Sequence, residues 1–369
     1  MAPVVLTAAL IARDEGRHLG DCLASLAGVV DDIVVVDTGS TDTTPEIAQA
    51  HGARVSFEPW RDDFAAARNA ALDRCGGDWI LYIDADERVR DGSAARLRPL
   101  LEDETLGACW VQLVAKAGHR PYREMRLFRS DPRVRFHGVI HENIWPALNR
   151  YLQATGRGVG TSEVVLDHVG YEGDQGHKHA RNLPLLVRAL QDDPNHVYCW
   201  THLAAIRRAT GDLVAAREAL VQGVAAARRR RSGPEQDALA FLELADIERV
   251  EGRDPRPLLE EVLALFPGNA QALFVRAQLN LDDGRIDEAA RDFQALVDWP
   301  ASPAAATTTA GHAERLFDAV AFEGLGACRW RAGRFAEAAE WFAKSRAWAP
   351  DRIELAGKEA LCRRLAAGG

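Results

Sequence analysis

Of 369 residues only two are methionine and five are tyrosine, and the six cysteines (Cys22, Cys75, Cys109, Cys199, Cys328, Cys362) stand apart, with no Cys-x-x-Cys pair. That scatter excludes a zinc ribbon or dithiol motif and reads as reduced packing thiols of a cytoplasmic protein. No stretch approaches the roughly 18 apolar residues of a membrane-crossing helix. The opening MAPVVLTAALIARDEG lacks a basic leader and meets charge at Arg13, so it reads as a strand rather than a signal peptide. Basic excess is missing too. The formal net charge of −9 gives no general footprint for nucleic acid. The one dense basic run, Arg228 to Arg231, reads as a solvated helix end.

What is present falls into two grammars. The first alternates strands at 4–12, 32–37, 53–57 and 78–84 with helices through Leu19 to Leu26, Pro45 to His51 and Phe64 to Cys75. Strands separated by single helices require crossovers and predict a parallel sheet. Continuous apolar runs in the second and fourth strands predict that both faces are covered. From about Asn195 only helices follow. Gly211, Gly284 and Gly333 each mark a turn, with Ala216, Ala289 and Ala338 five residues later. Helix pairs repeating at about 34 residues are the sign of a tetratricopeptide (TPR) array. A weaker copy surrounds Gly252 but carries Pro255 and Pro257, and 300–313 reads as a loop insertion. The predicted domains are 1–192 and 193–369.

The fourth strand, DWILYIDADERV (78–89), runs from apolar residues straight into Asp84, Asp86 and Glu87. Carboxylates crowded at a strand end repel unless something positive joins them. Residues i and i+2 of a strand face the same way, so Asp84 and Asp86 suit a hard cation, Mg²⁺ or Mn²⁺. An EF-hand would want Gly where Val89 stands, and a dehalogenase-type loop would not continue with Glu87 and Arg88. An exposed acidic turn stays open as the plain alternative. Asp37-Thr38-Gly39 matches the aspartic-protease signature, but that chemistry needs two such aspartates in a β fold. Here Asp37 ends a strand of a βα unit, free to accept an N–H from a nucleobase. Thr43 and Glu46 are expected to form a capping box, with Pro45 in the first turn.

Taken in order, LIARDEGRHLGDCLASL, DDIVVVDTGSTDTTPEIA and FAAARNAALDRCGGDWILYIDADE resemble the nucleotide-diphospho-sugar domain of family 2 glycosyltransferases. The resemblance implies the α/β GT-A fold, with a mainly parallel sheet, followed by an all-α TPR-like domain. Beyond 90 it is looser, and its continuation is similar to a bacterial subgroup that includes peptide S-glycosyltransferases and lipooligosaccharide glucosyltransferases. It implies that Asp37 reads a uracil base, that Ala12 and Glu15 line the nucleoside pocket, and that Arg68 and Asn69 face the nucleotide. Asp84 and Asp86 become the metal and diphosphate site, with His168 as a third ligand. Arg126 and Arg129 are candidates to clamp the diphosphate.

An inverting transfer also needs a base on the acceptor side. Glu142 in HGVIHENI is the candidate, with His141 to orient it; His177 and His179 lie in a stretch suited to a lid. The implied reaction moves a hexose from a UDP-sugar, with a divalent metal, to a peptide, protein or saccharide acceptor. A homodimer through the helical domain is a further expected assembly. The competing reading is a TPR peptide-binding scaffold whose transferase-like domain does not turn over.

Overall fold

Val34, Val35 and Val36 are all shut off from solvent, although neighbours on a strand point to opposite faces. The sheet that holds them is therefore covered on both sides. The computed structural model describes residues 3–169, 176–230 and 233–368. The chain divides into two units, Met1–Ala117 with Pro121–Cys199, and Gly118–Arg120 with Trp200–Gly369.

The first unit holds β1 (Leu6–Ala12), α1 (Leu19–Ser25), β2 (Asp32–Asp37), α2 (Thr44–Ala50), β3 (Arg54–Phe57), α3 (Phe64–Leu72) and β4 (Trp79–Tyr82). It continues with β5 (Glu87–Val89), α4 (Leu97–Leu101), β6 (Leu106–Val114), β7 (Tyr122–Arg129), α5 (Trp145–Thr155), β8 (Gly158–His168) and α6 (Gly176–Asp192). One eight-stranded sheet runs in the order β3-β2-β1-β4-β7-β6-β8-β5. β3, β2, β1 and β4 are parallel, as expected. Beyond β4 the sheet is mixed: β7 is antiparallel to β4 and β6, while β8 is parallel to β6 and antiparallel to β5.

Strand alternation splits the core in two. Leu10, Val35 and Leu81 pack with α1 residues Leu19 and Leu23 on one face. Val34, Val36 and Ile80 pack with Ala65 and Leu72 of α3 on the other. Each such side chain contributes about 1.5–3 kcal/mol on full burial. Trp79 is completely buried, and its indole N–H donates to Leu101 O at 3.0 Å, which removes the cost of hiding a polar atom. This packing fixes the carboxyl ends of β2, β1 and β4 side by side.

The expected capping box at α2 is not what forms. Thr43 makes no side-chain cap; Asp42 accepts from both the Thr44 N–H (2.9 Å) and the Thr44 hydroxyl. A short aspartate reaches the amide two residues on more directly than threonine reaches three.

Helix pairs follow: α7 (Val197–Ala209), which begins in the first unit, with α8 (Leu213–Arg230), α9 (Ala238–Val250) with α10 (Arg256–Leu265), and α11 (Ala270–Asp282) with α12 (Ile286–Asp298). After α13 (Pro303–Thr307) come α14 (Ala319–Arg331), α15 (Phe335–Trp348) and a closing α16 (Ile353–Ala367). Gly211, Gly252, Gly284 and Gly333 all take φ between 71° and 83°, the left-handed stop that glycine makes without penalty. Ala216, Ala289 and Ala338 are fully buried, as small contact residues between stacked helices should be. Gly324 is fitted more tightly still, because the Phe293 ring fills the space where a Cβ would go. The 300–313 insertion is not a bare loop. It contains α13, capped by Ser302, and Trp299 beside it stacks on Phe317 at 4.4 Å.

Candidate active site

The loops that follow β1 and β2 are tied to each other. The Asp14 N–H donates to Ser40 Oγ, Glu15 N–H to Thr44 Oγ1 and Gly16 N–H to Asp42 Oδ2, at 2.8 to 3.0 Å. In return Thr41 N–H donates to Asp14 Oδ1 at 2.7 Å. Asp14 adopts φ 55°, a left-handed conformation that aspartate tolerates better than most. Ala12 is buried at the tip of β1, and its carbonyl accepts the Thr38 N–H.

Asp37 ends β2 with only 4% of its surface exposed. Its Oδ1 accepts from Gly39 N and Ser40 N, both at 2.9 Å. Its Oδ2 is buried with no hydrogen-bond partner among the described residues. A buried acceptor without a donor costs roughly 1–3 kcal/mol, so the position fits a ligand N–H.

Two arginines answer the acid tip of β4. Arg68, from α3, donates to Asp84 Oδ1 at 2.8 Å and, through Nε, to Glu142 Oε1. Arg126, from β7, donates to Glu87 at 2.8 Å, to Glu124 at 2.7 Å and to Asp84 Oδ2 at 3.4 Å. The Tyr82 ring lies beneath both guanidinium groups, 4.5 Å from Arg126 and 5.1 Å from Arg68. Burial opposes ionisation of Asp84, yet the two guanidinium charges hold its carboxyl well below the usual range. Burial pushes Glu87 up to about 8, because Arg126 is shared among three carboxylates and the Asp84 charge adds repulsion. Four carboxylates (Asp84, Glu87, Glu124, Glu142) thus share two guanidinium groups, and the acid groups outnumber the bases.

Asp86 is held separately. Pairing of Glu87 with His168 in the β5–β8 ladder, and the Val169 N–H on Asp86 O at 2.9 Å, bring His168 Nε2 to 3.3 Å from Asp86 Oδ2. Burial works against the charged form of each, and their mutual hydrogen bond wins: the Asp86 carboxyl is lowered and the His168 ring raised. Two ligands at right angles on an ion with bonds near 2.1 Å stand about 3 Å apart, so this pair fits a small divalent cation. Among the described residues no group of three His, Cys, Asp or Glu side chains is gathered for a metal. Magnesium-like ions commonly take only one or two carboxylates from the protein and complete their shell with water and substrate phosphate.

Other expected residues have different surroundings. Both amide groups of Asn69 engage the main chain of Phe136, at 2.9 and 3.0 Å. His141 takes φ 51° and packs edge-on against Tyr198 at 4.7 Å. Arg129 does not reach the site: it covers Trp79 and donates to Leu106 O. Arg126, the other candidate clamp, is buried with its donors on three carboxylates. The side chain of His177 lies outside the described residues. Two cations not singled out from sequence, Lys178 and Arg181 of α6, act on Glu15, whose carboxyl is pushed up to about 7 by burial and by Asp86. No periodicity flags them, since they lie on a polar helix start.

Residues 7–161 match the model of glycosyl transferase family 2. This stretch is a family 2 glycosyltransferase domain. β1 from Thr7 onward, all of β2 to β7 and only the start of β8 fall within it, with Asp37, Arg68, Asp84, Asp86 and Glu142. A TPR repeat-containing protein of Synechococcus elongatus is 36% identical over 250 residues, 66% of this chain and 61% of its own. The lipopolysaccharide core biosynthesis glycosyltransferase LpsC of Rhizobium meliloti is 32% identical over 184 residues, 44% of this chain and 65% of its own. The SPbeta prophage-derived glycosyltransferase SunS of Bacillus subtilis is 29% identical over 143 residues, 37% and 34% of the two chains. The chain thus spans about a third to two thirds of the length of these relatives. The family 2 domain is followed here by the helical pairs described above.

Within the helical unit a cavity of about 780 Å³ opens between helices, with Leu242, Phe274 and Phe293 in its wall and Glu243, Asp246 and Lys358 among its charges. Its cations are already committed: Arg208 to Glu243, Arg249 to Asp246 and Lys358 to Glu323.

Proposed function

We propose that the chain is an inverting glycosyltransferase that moves a hexose from a UDP-sugar to a peptide, protein or saccharide acceptor, with a 1–192 transferase domain and a 193–369 helical domain. One relationship supports it most: Asp37 Oδ2 and the under-compensated acid cluster stand at the carboxyl ends of β2 and β4, two strand spacings apart. That is about 10 Å, a span a nucleoside diphosphate bridges. Asp37 takes the base N–H, with Ala12 and Glu15 on the adjoining rim.

Asp86 and His168, with Asp84 behind them, would hold Mg²⁺ or Mn²⁺. A bound ion supplies Lewis-acid stabilisation of the departing diphosphate. Arg68 acts as a positioning residue, holding Asp84 and Glu142 from one guanidinium. Glu142 takes the acceptor proton as general base, with His141 beside it in the chain. No described helix is long and apolar enough to cross a membrane; a cytoplasmic site and a dimer through the helices complete the proposal.

The test is a donor screen of UDP- and GDP-sugars with Mn²⁺, Mg²⁺ or chelator, following nucleotide release. UDP-sugar turnover that disappears with chelator is expected. Asp86→Ala should lose turnover while its melting curve stays close to the parent's. Metal-independent turnover at the parent rate in that variant would remove the metal assignment. Tight peptide binding with no turnover of any donor would favour the scaffold reading.

A further inference from the structure

Phe57 is the last residue of the edge strand β3, and 65% of its surface is exposed. A lone exposed phenylalanine is unremarkable on a protein surface. This one is the register partner of Asp37, and Glu58 N–H donates to Asp37 O at 2.9 Å, closing the pair. Paired residues of neighbouring parallel strands project from the same face, so the exposed ring and the buried carboxylate share one side of the sheet. Between them lies Gly39 at φ 113°, where an added Cβ would come 4.0 Å from Phe57 Cε2. The turn at Asp37 thus comes within ordinary contact distance of the ring, and the glycine permits a backbone shape other residues rarely adopt. A flat apolar surface therefore stands next to a buried acceptor that lacks a donor.

We propose that Phe57 is a wall of the nucleobase subsite, its ring stacking on the base whose N–H is accepted by Asp37 Oδ2. This rests on the nucleotide-sugar reading and adds to it a residue outside the diphosphate region. Stacking on an aromatic ring is tolerant of base identity, whereas the carboxylate demands a ring or exocyclic N–H. Phe57 supplies affinity, and Asp37 supplies selection.

The experiment is titration calorimetry of the full chain with uridine diphosphate, uridine monophosphate and inorganic pyrophosphate, with Mn²⁺, in the parent, Phe57→Ala and Phe57→Tyr. Phe57→Ala should weaken both nucleotides by the same roughly five- to hundredfold factor and leave pyrophosphate unchanged. Phe57→Tyr should restore the parent affinities, since the ring is kept. Because Phe57 is exposed, a melting curve matching the parent's is expected. Unchanged nucleotide affinity in Phe57→Ala, or an equal loss for pyrophosphate, would overturn the stacking role alone. A parent chain that binds no nucleotide would overturn the donor reading and this inference together.

Discussion

Arg126 donates to Glu87 at 2.8 Å, with 7% and 1% of their side chains exposed. This pair lies directly under the acid tip of β4. It shows that the protein carries part of the positive charge the tip requires, on a strand 39 residues away in sequence.

Removing the cation alone should be severe. Arg126→Ala removes the buried guanidinium that Asp84, Glu87 and Glu124 share, and the expected loss is about 3–5 kcal/mol. Chemical denaturation should show it. Adding Glu87→Gln to that variant should recover part of the loss at high pH, because the carboxyl that burial keeps from ionising is gone. Equal stability of the parent and Arg126→Ala would mean the network is not formed in solution.

Glu142→Gln tests chemistry rather than folding. Arg68 keeps its bond to Asp84 in this variant. The turnover number should fall by about 10²–10⁴-fold, while the donor KM changes little. Steady-state kinetics against donor and acceptor separates the two. A parent-like turnover number would move the base elsewhere.

Glu15 gives the chain a pH dependence with a defined sign. Burial, then the charge of Asp86, raises its carboxyl from 4.5 to about 7, with Lys178 and Arg181 pulling the other way and Asp84 reinforcing the rise. The folded state therefore holds this proton more tightly than the unfolded one. Its contribution to stability is full below pH 4.5 and is lost as pH rises through about 7. The melting temperature should decline over that window, and Glu15→Gln should flatten the decline. An identical slope in both proteins would refute the assignment.

In the helical unit, Gly324→Ala sets two effects against each other. Alanine gains roughly 1 kcal/mol of helix propensity over glycine. The Phe293 ring fills the space the methyl needs, and overpacking of that kind costs about 1–3 kcal/mol. Net destabilisation is expected, read as a lower melting temperature. A rise would show that the ring moves aside freely.

The parallel half of the sheet was legible because its strands are short apolar runs broken by helices, and the repeats because glycine and alanine recur at fixed spacing. The mixed half was not. β6 pairs with β7 across a register shift at Cys109/Trp110 and with β8 across shifts at Leu106/Ala108 and Trp110/Gln112, which no local pattern announces. The same holds in the site. Sequence placed Asp84 and Asp86 together and looked to a metal for their partner. The guanidinium of Arg68 reaches Asp84 from 16 residues away and Glu142 from 74, and such distant pairing leaves no trace in spacing. Phe57 was visible only as a strand residue, since exposure is a property of what fails to pack on it.

The stitched loops after β1 and β2 carry a consequence for how a guest arrives. Asp14, Glu15 and Gly16 are already fastened to Ser40, Thr44 and Asp42 before anything enters. Little chain entropy is then surrendered on entry, so occupancy should depend on the fit of base and phosphate more than on any ordering of the rim.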